Sequence, residues 1–136
     1  MDIRKLGPGD EELLERAMLQ FGQGSPPAPD LFLGDPRSHS FVAIDAEDVV
    51  GWCFGYELFR PEGRWMMLLA RLDVAEERRR ERVGRKLLEH FAEFARAKGH
   101  HKMWLFADAG HSAARRLFED IGDPPGEKLG VWWVFG

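Results

Sequence analysis

The stretch from Phe41 to Val74 limits the fold more than any other. Three β-rich runs, Phe41 to Ile44, Val49 to Phe59 and Trp65 to Val74, are separated only by the spacers DAED and RPEG. Asp, Pro and Gly in those spacers are turn formers, each through its own backbone preference. Connections this short join antiparallel neighbours, because a parallel pair needs a crossover of a dozen or more residues. The centre of the chain is therefore predicted to be an antiparallel meander.

The flanks fill in the rest. Asp2 to Leu6 alternates like a short strand, and Leu13, Leu14, Ala17 and Met18 then share one helical stripe with Asp10 available as a cap. Gly22 to Asp30, GQGSPPAPD, is the only Pro/Gly/Ser-rich stretch and reads as a loop that covers a site. After the meander, Val83, Leu87, Leu88, Phe91, Phe94 and Ala95 recur at helical spacing until Gly99, a C′ glycine. HKMWLFAD reads as a buried strand, HSAARRLFEDIG as a shorter amphipathic helix and VWWVF as a last strand. The predicted order is β-α-(short α)-β-β-β-α-β-α-β, an α/β arrangement. The 136 residues, 44% of them hydrophobic, suit one domain spanning 1–136. Cys53 is the only cysteine, which excludes a disulfide framework and fits a reducing, cytoplasmic setting. No apolar run approaches the ~20 residues a membrane span needs, so no membrane partner is expected. His39, His90, His100 and His101 show no metal-ligand spacing with carboxylates, so no metal is expected either.

One local rule is broken. Six of the nine residues from Arg78 to Lys86 are cationic, yet they lead into the first turn of a helix, where the backbone dipole favours acids. Less Glu81, the run carries +5 against a net −4 for the chain, leaving −9 elsewhere. A nucleic-acid surface would be basic over a broad area, so the run fits a small polyanion and no nucleic acid is expected. Amide N–H groups at a helix start, with arginines beside them, form an anion site for phosphate.

The strand order, with this basic turn between the fourth strand and the long helix, resembles the GNAT superfamily of acyl-CoA-dependent N-acetyltransferases. Its signature, Arg/Gln-x-x-Gly-x-Gly/Ala, falls on Arg79, Arg80, Glu81, Arg82, Val83 and Gly84, with Arg82 where the family has its first glycine. FVAIDAEDVVGWCFGYEL followed by LDVAEERRRERVGRKLLEHFAEFARAKG is most similar to the aminoglycoside 3-N-acetyltransferase branch. The resemblance implies a mixed, mostly antiparallel sheet of about six strands, flanked by helices and splayed between strands four and five. It implies acetyl-CoA as co-substrate, a small cationic amine as acceptor and a homodimer. The main chain of Leu72, Asp73 and Val74 would hold the pantetheine arm, and Arg79 to Arg85 the phosphates. Arg71, Asp73, Leu105 and Phe106 would lie near the splay. In the family pattern Asn-x-x-Ala-x-x-x-Tyr, His111, Ala114 and Phe118 take the named positions, so His111 and Ala114 would adjoin the cofactor. Phe118 cannot donate a proton to the departing thiolate, which leaves Tyr56, the only tyrosine, as substitute.

Acyl transfer to an amine needs a group that removes the ammonium proton. Glu57, an acid inside an apolar strand expected beside the acceptor cleft, is the first candidate, with a salt bridge to Arg71 as its structural alternative. Asp73 and Asp108 follow. A non-catalytic acyl-CoA-binding or sensing domain is the alternative reading, favoured by Phe118 and Arg82.

Overall fold

The meander forms as its turns dictate. The computed structural model describes residues 1–105 and Phe135, without the side chains of residues 79–81. Of two compact units, Met1–Leu105 and Phe106–Gly136, the first is therefore the one described below. Its elements are β1 (Asp2–Lys5), α1 (Glu11–Gln20), α2 (Pro29–Gly34), β2 (Ser38–Asp45), β3 (Asp48–Phe59), β4 (Trp65–Val74), a 3₁₀ turn (Glu76–Glu81), α3 (Val83–Ala97) and β5 (Met103–Leu105). The sheet order is β1-β2-β3-β4-β5. The first four strands are antiparallel neighbours, and β5, which returns after α3, is parallel to β4. The sixth strand expected at VWWVF, together with Phe106, Asp108, His111, Ala114 and Phe118, lies outside the described residues.

Each face of the sheet buries a separate apolar layer. Leu14 and Ala17 of α1 and Leu33 of α2 pack with Leu6, Val42, Val49 and Trp52 on one face. On the other, α3 buries Val83, Leu87, Leu88, Phe91 and Ala95, the stripe its periodicity predicts. Phe41 meets Phe91 there with ring centroids 5.8 Å apart. Two expectations are corrected. Asp10 precedes α1 but makes no side-chain cap; its carboxylate accepts from the Gly7 amide at 2.9 Å and from Arg4, holding the turn instead. β2 starts at Ser38, three residues before the apolar run, because Ser38, His39 and Ser40 pair with Tyr56, Gly55 and Phe54.

Candidate active site

The site begins with an extra residue. β3 and β4 pair Gly55 with Leu69 and then Phe54 with Arg71, so Ala70 is a bulge on β4. A bulge bends its strand and shifts side-chain parity by one. The parity shift is visible here. The last pair between β4 and β5 is Leu69 with Leu105, directly before the bulge, and beyond it β4 meets no second strand among the described residues. From Arg71 to Val74 β4 is paired to β3, and among the described residues its other edge has no partner strand. The splay expected between the fourth and fifth strands would lie past this pair, beyond the described residues of β5. The parity shift aligns Arg71 with Phe54 and Asp73 with Trp52, on the face covered by α1 and α2. Leu72 and Val74 align with Cys53 and Gly51, on the α3 side.

Asp73 is held firmly. Its Oδ2 accepts from Trp52 Nε1 at 2.8 Å and from Arg71 Nε at 2.5 Å, while Oδ1 has one long contact of 3.4 Å to Arg71 Nη2. Tyr56 lies on the same face, edge-on to Phe32 of α2 and to Phe54. Burial, and then the charge of Asp35, push its phenol above the ordinary value, so it stays protonated at neutral pH. The structure thus brings Tyr56 and Asp73 to one face.

Glu57 is not with them. Successive strand residues point to opposite faces, and Glu57 points to the α3 side. The expected partner, Arg71, is wrong: it belongs to Asp73. Glu57 Oε1 instead receives Lys98 Nζ at 2.7 Å and lies 2.5 Å from His39 Nε2, and Oε2 lies 2.8 Å from His100 Nε2. Burial works to raise the Glu57 carboxyl, but the bonds from Lys98 and His39 outweigh it and hold the group below its ordinary value. Sequence reasoning missed this cluster, because the partners of Glu57 lie 18 to 43 residues from it along the chain.

The basic run enters α3 through Arg82, which takes the left-handed conformation (φ 64°, ψ 21°). Among the described residues no side chain caps α3, and its first turn holds no acid. First-turn N–H groups point outward along a helix axis, so this end suits an anion. Val83 and Gly84 are buried at the helix start. Part of the run is engaged within the protein: Arg78 pairs with Asp45, and Arg85 with Glu89 at 3.1 Å. Among the described residues, a strand stretch paired on one edge leads to a helix start without a side-chain cap, an arrangement that fits both the amides and the phosphates of coenzyme A.

Comparison with known proteins agrees with this arrangement. A soil-metagenome aminoglycoside acetyltransferase, HMB0005, superposes with a TM-score of 0.88 at 22% identity, over 99% of this chain and 98% of that one. Another from soil metagenome, meta-AAC0020 in complex with sisomicin, gives 0.85 at 21%, over 99% and 95%. Aminoglycoside N-acetyltransferase AAC(6')-Iy in complex with CoA gives 0.80 at 14%, over 99% and 100%. At these identities the likeness is one of fold. No curated protein matches. The family assignment comes from the model described as the acetyltransferase (GNAT) family, which matches residues 10–122 and so takes in α1, the bulged β4 and the basic turn. This chain belongs to the GNAT family of acetyltransferases, enzymes whose acyl donor is acetyl-CoA.

Proposed function

We propose that the acceptor is a primary amine of a small cationic molecule of the aminoglycoside kind. The observation that carries this is Asp73, a carboxylate with one lightly engaged oxygen, on the α1/α2 face of β4. The neighbour in complex with sisomicin supports the same acceptor class. Asp73 Oδ1 receives the acceptor's ammonium and takes its proton, while Trp52 and Arg71 keep the carboxylate from turning. Tyr56, protonated and on the same face, supplies the proton that Phe118 cannot. Glu57, turned to the other face, has a structural role in this reading. Leu72 to Val74 hold the donor's amides through their main chain, and the turn from Arg79 to Arg85 holds its phosphates; His111, Ala114 and Phe118, outside the described residues, are cofactor positions by the family resemblance alone. Acetyl-CoA supplies the activated thioester. The resemblance extends the reading to one domain over 1–136 and a homodimer, and the lone buried Cys53 to a cytoplasmic setting.

Thiol release from acetyl-CoA with a panel of aminoglycosides and polyamines tests the reading. Asp73→Asn should lower kcat/KM by about 10²-fold. No thiol release with any amine, or an Asp73→Asn protein as fast as the parent, would remove the proposal.

A further inference from the structure

The loop between α1 and α2 is tied to the sheet through Gln23. α1 ends in paired backbone bonds, Gly22 N–H to Leu19 C=O (3.3 Å) and Gln23 N–H to Met18 C=O (2.8 Å). This is the Schellman pattern, with Gly22 at φ +73° as its left-handed residue. It fixes the backbone of Gln23. With its amide oxygen turned to the guanidinium, Gln23 accepts from Arg71 Nη1 at 3.2 Å and Nη2 at 3.1 Å. The same guanidinium donates through Nε to Asp73 at 2.5 Å. Directly after Gln23 come Gly24, at φ +73°, and then Ser25, Pro26 and Pro27. A flexible residue is followed by a stiff one-way segment.

We propose that Arg71 is a positioning residue: it latches the α1–α2 loop to Asp73 through Gln23, and so sets which amines the cleft admits. The geometry is specific to a planar fork, which addresses two acceptors on different elements at once. A lysine there has no second arm. The latch joins this loop to the carboxylate that receives the ammonium, so an acceptor that displaces the loop also disturbs Asp73. The inference rests on the acceptor reading above.

Hydrogen exchange on the ligand-free chain tests the latch independently of turnover, at the Gln23, Gly24 and Ser25 amides; Pro26 and Pro27 have none. Gln23→Leu removes the acceptor at similar size, Arg71→Lys removes the fork, and Gln23→Glu keeps an acceptor for the guanidinium. The first two should speed exchange about 3- to 10-fold, the effect of losing one partly exposed hydrogen bond, and Gln23→Glu should not. In steady-state assays the amine KM should rise by a similar factor in the first two, with the acetyl-CoA KM unmoved and the rise rescued in Gln23→Glu. Unchanged exchange in both disruptive variants would overturn the latch. So would equal rises in the two KM values, which is the mark of a merely structural role. A parent protein that acetylates no amine would sink the acceptor reading and leave exchange to decide the latch.

Discussion

Arg82 carries the plainest conflict between local preference and position. A non-glycine residue at φ 64° has its Cβ crowded against the following carbonyl, at a cost of about 1–2 kcal/mol. The chain accepts that cost where the family pattern has glycine, and thereby places a guanidinium at the mouth of an uncapped helix start. Replacing it separates the two effects. Arg82→Gly should raise stability to urea by up to about 1 kcal/mol, since relief of the strained backbone exceeds glycine's extra chain entropy. The same change should weaken CoA binding, measured by calorimetry, through loss of one cation near the phosphates. A variant that gains no stability would mean that Arg82's side chain offsets its own strain. The cation density of this run was legible in the sequence, because it needs only counting. Which cations are already engaged was not: Arg78 meets Asp45 from a strand more than thirty residues earlier.

Elements were legible where a period or a turn residue announces them. α3 starts at Val83 as its stripe predicts, and Gly99, at φ +82°, closes it with the bonds of a C′ glycine, Gly99 N–H to Arg96 C=O and His100 N–H to Ala95 C=O. The bulge at Ala70 was not legible, because it is a property of the pairing between two strands and leaves no local mark. It nevertheless decides the site, since it moves Arg71 and Asp73 to the face of Tyr56. The approach of α3 to the sheet also depends on glycines at two positions of β3, Gly51 and Gly55, of which Gly51 faces the first turn of α3. A Cβ on Gly51 would lie 2.8 Å from Val83 Cγ1, 2.9 Å from Leu87 Cδ1 and 3.2 Å from the Asp73 carbonyl oxygen. Gly51→Ala should therefore push the first turn of α3 off β3 and β4, at a cost of about 1–3 kcal/mol. Because that turn is the proposed phosphate site, CoA affinity should fall in the folded variant by more than in a control change at the far end of α3. Calorimetry on both proteins below their melting temperatures checks this, and equal affinities would detach the helix start from the donor site.

Across the molecule, Glu57 is the point where separate parts of the chain converge. Its carboxylate bonds to His39 from β2 and Lys98 from the end of α3, lies 2.8 Å from His100 in the turn into β5, and acts through charge on Lys5 of β1. Losing the carboxylate leaves buried His39 and half-exposed Lys98 without their partner, and Glu57→Gln should cost about 2–4 kcal/mol, towards the lower end because Lys98 reaches water. The cluster also gives the fold an acid limit. Burial, against the pull of Glu57, holds His39 below its ordinary 6.5. Between that ordinary value and the lower folded one, the unfolded chain binds the extra proton and the folded chain does not, so stability falls as pH drops through this window. Glu57, held below its ordinary 4.5, acts in the same direction at lower pH: its contribution is present above 4.5 and lost as pH falls through the folded value. The melting temperature should accordingly decline in two stages on acidification, the first below about pH 6.5 and the second below about pH 4.5. His39→Gln keeps a hydrogen-bonding side chain but has no proton to gain, so it should flatten the first stage and leave the second. Parallel melting curves for the parent and His39→Gln between about pH 7 and 5 would show that His39 is not the group that charges.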